Sequence, residues 1–138
     1  MGTRSITRIH DEQGNRLLAI YQQYDGYPEG VGKNLADFLK EFEVVDGIPA
    51  GAATEQRRLA HGADCLAAQL VSHLKGDQVG GVYIAPLNSS ELYNYDIYVK
   101  KVGEPIRMVC TYFDDKVVFD GPVGDFDEFL RRNAAREK

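Results

Sequence analysis

Residues 21–34, Tyr-Gln-Gln-Tyr-Asp-Gly-Tyr-Pro-Glu-Gly-Val-Gly-Lys-Asn, constrain the backbone of this chain more than any other stretch. Gly26, Gly30 and Gly32 admit backbone conformations and close approaches that a side chain would forbid. Pro28 fixes its own φ and pushes Tyr27 toward extended backbone. An apolar repeat follows at Leu35, Phe38, Leu39 and Phe42, which lie on one face of a helix. The stretch must therefore turn the chain sharply and deliver it into a helix. Asn34 with Asp37 three residues on has the spacing of a capping pair, with Val31 or Gly32 as alternative starts.

The elements around this turn define a fold class. Residues 3–10 are rich in β-branched side chains, residues 17–24 form a second apolar-aromatic run, and the cluster at 11–15 turns between them. This predicts an antiparallel hairpin that leads into the turn. The helix after it is expected to end near Glu43, with a loop over 44–53. Thr54 is a plausible cap for a second helix over 55–75, whose stripe is Leu59, Ala63, Leu66, Leu70 and Leu74. Gly62 marks a kink or a restart capped by Asp64, and Gly76 marks its stop. Residues 80–86, 93–102, 106–113 and 116–119 read as strands, and about 125–134 as a last helix carrying Phe126, Phe129 and Leu130. The order β-β-α-α-β-β-β-β-α predicts one α+β domain over residues 1–138. Its sheet is mostly antiparallel, with about six strands and with helices on one face, and the last few residues fray.

Composition removes several function classes. At 138 residues, with 43% hydrophobic and 27% charged side chains, the chain suits a single soluble domain with a continuous core. A net charge of −5 argues against general nucleic-acid binding. The first residues lead into no apolar run, so no signal peptide is expected, and no window is long enough for a membrane span. Cys65 and Cys110 do not make a disulfide framework and read as thiols in a reducing cytoplasm. No cofactor is called for. His61 and Cys65 stand four residues apart without a third ligand at matching spacing, so no metal site is expected. Ser89, Ser90 and Glu91 lack a nucleophile motif, so no catalytic residue is assigned.

One place is left for a ligand. Glycines before a helix direct backbone N–H groups toward the positive end of its dipole, where an anion can bind. Gly30, Gly32 and Lys33 make up this candidate, although the P-loop spacing is missing. Arg4 and Asp25 lie at the same end of the first hairpin. Arg4 either pairs with Asp25 and holds the turn, or turns its fork to a ligand. Tyr24 and Tyr27 flank the turn and offer rings for stacking, while Tyr93, Tyr95 and Tyr98 serve equally as sheet-face residues. The candidate ligand-binding set is Arg4, Tyr24, Asp25, Tyr27, Gly30, Gly32 and Lys33.

Met-Gly-Thr-Arg-Ser at positions 1–5, the Tyr21-x-x-Tyr-Asp25-Gly-Tyr-Pro28-x-Gly30-x-Gly32 motif and Leu35-x-x-Phe-Leu39 resemble a group of small phage and bacterial proteins without an assigned activity. The resemblance covers about the first 40 residues and implies a phage or prophage setting. In that setting the leading expectation is a non-enzymatic binding protein. It would sequester a nucleotide or other small anion, such as a host immune signal, in the host cytoplasm. The alternative is a module that inhibits a host protein through its late acidic residues, Asp114, Asp115 and Asp120. A nucleotide-processing enzyme is the third reading. A homo-oligomer with shared sites would suit the first.

Overall fold

The computed structural model describes residues 2–45, 58–100 and 104–136. It is an α+β fold on a six-stranded mixed sheet. The strands are β1 (Ser5–His10), β2 (Arg16–Gln22), β5 (Val82–Ala85), β6 (Tyr93–Tyr98), β7 (Arg107–Tyr112) and β8 (Lys116–Pro122). Their order across the sheet is β5-β2-β1-β6-β7-β8. Four of the five pairings are antiparallel, and β1 with β6 is the parallel one. The hairpin β1–β2 and the meander β6–β7–β8 follow from their short connections. Joining them side by side requires the central parallel pair.

Strand alternation gives the sheet two different faces. Ile9, Ile20, Tyr95, Ile97, Met108, Cys110 and Phe119 share a core with the helices. Helix α2 (Gly62–Lys75) buries Ala63, Leu66, Ala67, Leu70 and Leu74 in it. Helix α1 (Lys33–Leu39) adds Leu35, Ala36 and Leu39, and α3 (Phe126–Arg136) adds Phe126. Each fully buried Leu or Ile contributes about 1.5–3 kcal/mol. No helix among the described residues is long and apolar enough to cross a membrane.

The structure departs from the sequence reading around the first two helices. Helix α1 ends at Leu39, short of Glu43. Phe42–Val45 then forms β3, which pairs in parallel with β4, Arg58–His61. The second helix was expected to start near residue 55 and instead starts at Gly62, whose φ of +80° breaks helical continuity. Leu59 therefore lies on β4. Thr54 and most of the 44–53 loop lie outside the described residues. Asn34 does not cap α1: its Oδ1 meets His73 Nε2 at 2.9 Å, and Asp37 pairs with Lys33 and Lys40. A π-helical turn, Pro28–Gly32, replaces the capped start.

The glycines of this turn are there for close approach. A Cβ on Gly30 would meet Asp25 O at 2.2 Å, and one on Gly26 would meet Arg4 O at 2.9 Å. A Cβ on Gly32 would lie 2.8 Å from Phe126 Cζ and 3.1 Å from Tyr95 Cε1. Both rings are fully buried and cannot swing away. Gly32→Ala should therefore overpack the core and destabilise the fold by about 1–3 kcal/mol. Urea unfolding of the variant measures this, with a lower midpoint at unchanged slope as the expected result.

Candidate functional site

The other face of the sheet carries charge. Ile6, Arg8 and His10 of β1 stand opposite Asn94, Asp96 and Tyr98 of β6. Arg8 is only 3% exposed. A buried guanidinium needs partners for all its donors. Its Nη1 donates to Asp96 Oδ2 and Asp114 Oδ1, both at 3.2 Å. Its Nη2 donates to Asp114 Oδ2 at 3.0 Å, Asn94 Oδ1 at 3.3 Å and Ser89 O at 2.9 Å. Its Nε donates to Ser89 O at 3.3 Å. His10 Nε2 meets the other oxygen of Asp96 at 2.7 Å, and its ring stacks on Tyr98 with centroids 4.4 Å apart.

This network holds two irregular segments against the sheet. One is the connection from β5 to β6. Ser89 accepts from Arg8, Ser90 Oγ donates to Asp114, and Asn94 fastens both backbone groups of Glu91. The other is the turn from β7 to β8. Here Phe113 has φ +58° and Asp114 φ +65°. A left-handed conformation costs a bulky residue roughly 1–2 kcal/mol. The Arg8 fork on Asp114 offsets that cost, and Phe113 N donates to Leu92 O at 2.9 Å. The two segments are thus tied to Arg8 and to each other.

Their outer ends form walls of a cleft of about 740 Å³, lined by Gly2, Thr3, Arg4, Gln23, Tyr24, Glu91, Leu92 and Phe113. Tyr24 and Phe113 are 58% and 59% exposed, which is high for rings of their size. The side chains of Arg4, Tyr24 and Glu91 make no hydrogen bond or ion pair among the described residues. A cation, a carboxylate and two open rings in a cleft of this size could hold a small molecule.

The sequence-derived set divides in the structure. Arg4 and Tyr24 line the cleft. Asp25 does not pair with Arg4; its Oδ1 accepts from Tyr27 Oη at 3.1 Å. Tyr27 is exposed but does not line the cleft. Lys33 is engaged by Asp37 at 3.1 Å and Asp127 at 3.3 Å, and these carboxylates hold its ammonium pKa above the ordinary value. The amides of the glycine turn are used within the backbone: Gly30 N donates to Tyr27 O and Val31 N to Asp25 O. Gly30 and Gly32 therefore act through close packing. Glu91 and Phe113 are charged and aromatic cleft residues that sequence reasoning did not assign, because the long-range β1–β6 pairing, reinforced by Arg8, brings their segments to β1.

Several of the other acidic residues have internal partners. Asp120 chelates Arg107 at 2.7 and 2.8 Å, Asp127 joins Lys33 and Lys40, and Glu128 pairs with Arg132. The late acidic segment is thus largely neutralised internally. Burial pushes the Cys110 thiol up to about 12, so it stays protonated at neutral pH. Cys65 and Cys110 are both free. Among the described residues no three His, Cys, Asp or Glu side chains gather as a metal site. Compared with protein families, characterised proteins and solved structures, the chain gives no match.

The Arg8 network is testable by stability. Arg8→Met leaves the Asp96 carboxylate buried without its cation and should cost about 3–5 kcal/mol at pH 7 in urea unfolding. The acid limb has a definite sign. Burial alone would raise the Asp114 carboxyl, but hydrogen bonds from Arg8 and Ser90 outweigh it and hold it below its ordinary 3.8. A group whose pKa is depressed by folding stabilises above its unfolded value and loses that contribution as pH falls through the folded one. Stability should therefore fall from just above pH 4 downward. In Asp114→Asn that part of the acid loss should vanish, a comparison made by urea midpoints between about pH 6 and pH 2.5.

Proposed function

We propose that the protein is a non-enzymatic binding protein whose Arg4 cleft takes a small planar anion of the nucleotide class. The observation that carries this reading is the Arg4 guanidinium, without a partner among the described residues, beside the open rings of Tyr24 and Phe113. A guanidinium is a bidentate partner for phosphate. Stacking of a base on an aromatic side chain contributes about 1–3 kcal/mol. A cleft of about 740 Å³ is within the range of small-ligand sites. In the phage setting implied by the resemblance, the role would be to withdraw a nucleotide signal of host immunity from the host cytoplasm. The anion partner moves, in this reading, from the glycine turn to Arg4, because Lys33 and the Gly30 and Val31 amides already have partners.

A thermal-shift titration of the full chain against mono-, di- and cyclic nucleotides tests the proposal. A ligand present at roughly 100 times Kd should add about 2.7 kcal/mol to the stability. Arg4→Ala should lower affinity for phosphate-bearing ligands by about tenfold, as expected for loss of a charged hydrogen bond. Lys33→Ala should leave affinity unchanged. A well-folded sample that no nucleotide stabilises would sink the reading.

A further inference from the structure

The cleft has a second pole. Glu91 lies in it with its carboxylate uncommitted among the described residues. Its backbone is fixed at both ends: Glu91 N donates to Asn94 Oδ1 at 3.0 Å, and Glu91 O accepts from Asn94 Nδ2 at 2.8 Å. Asn94 Oδ1 is fixed in turn by Arg8. Arg4 and Glu91 share the cleft without forming an ion pair with each other. Phe113 is held nearby by a backbone it would not adopt unaided, with φ +58°, through its bond to Leu92 O and the Arg8 grip on Asp114. Cation, carboxylate and ring are thus presented from three segments that share one buried anchor.

From this arrangement we infer that Glu91 and Phe113 form a base-recognition subsite selective for guanine. The inference rests on the reading of the Arg4 cleft as a nucleotide site. A carboxylate is an acceptor only, with two oxygens side by side. Guanine presents two adjacent donors, its N1–H and its 2-amino group, which match those oxygens. Adenine places an acceptor nitrogen beside its amine, and uracil flanks its N–H with carbonyls, so both repel one oxygen while meeting the other. Hypoxanthine keeps the N1–H and lacks the amine. The phosphate lies toward Arg4, the base edge toward Glu91, and the base plane on Phe113. Arg8 is a positioning residue here, since it touches none of these groups directly.

The test measures binding of guanosine monophosphate, inosine monophosphate, adenosine monophosphate and ribose 5-phosphate to the full chain by calorimetry. Guanosine monophosphate should bind more tightly than inosine monophosphate by about tenfold, the effect of one hydrogen bond to a charged group. In Glu91→Gln that ratio should fall to near one. Ribose 5-phosphate should bind this variant at least as well as the parent, because a negative charge has left the cleft. Phe113→Gly removes the ring at a position whose positive φ glycine accepts without strain, so the fold is retained. It should weaken every nucleotide by about tenfold and leave ribose 5-phosphate unchanged. Equal affinity for guanosine and inosine monophosphates, or a preference that survives in Glu91→Gln, overturns the inference while the anion site stands. Binding of none of the four probes overturns the nucleotide reading and this inference together.

Discussion

The buried guanidinium of Arg8 is the constraint on which the rest of the structure depends. A charge at 3% exposure is tolerated only where partners surround it. Those partners come from β6, from the β5–β6 connection and from the β7–β8 turn. Segments more than 80 residues away in sequence therefore converge on one atom group. Such a network adds little net stability over an apolar replacement, because desolvation offsets the attraction. Its larger effect is on register. A slip of one residue between β1 and β6 would turn Arg8 into the helix-covered core and leave Asp96 unpaired.

The two faces of the sheet divide the labour. One face is apolar and carries the helices, and its glycine turn is shaped by packing. Gly32 lets Phe126 and Tyr95 approach, and Tyr95 Oη donates to Gly26 O at 2.7 Å. The described helices pack on the apolar side, and the other face carries Arg8, His10, Asn94 and Asp96. It organises loops through hydrogen bonds, and the cleft opens at the end of β1 where those loops meet. The turn and the cleft are therefore neighbours with different physics. The turn has its Gly26, Gly30 and Val31 amides bonded within the backbone, whereas the cleft keeps Arg4 and Glu91 unengaged among the described residues and two rings open.

Much of the fold was legible in the sequence because apolar periodicity records burial. Leu66, Leu70 and Leu74 fall on one helical face as their spacing requires, and Ile9 and Ile20 fall on one sheet face through the β1–β2 register. Strands β3 and β4 were not legible. Each has four residues, too few for a period, and each is stabilised by the other rather than by a local turn. The Arg8 network left a faint trace: Arg8 and His10 alternate on one strand, and Asn94 and Asp96 alternate on another. Nothing local says that these two strands are adjacent.

Residues 21–34 show the same division. Sequence by itself determined that they must turn sharply and begin a helix, because glycine and proline act on the backbone at their own positions. It also marked Arg4 and Tyr24 as chemistry close to that turn. Only the tertiary structure decided that Lys33 would be engaged by Asp37 and Asp127, that Asp25 would hold Tyr27, and that Arg4, Glu91 and Phe113 would line one cleft. Backbone preference is local and is written residue by residue. The pairing of a charge depends on which distant carboxylate the strand order brings within reach.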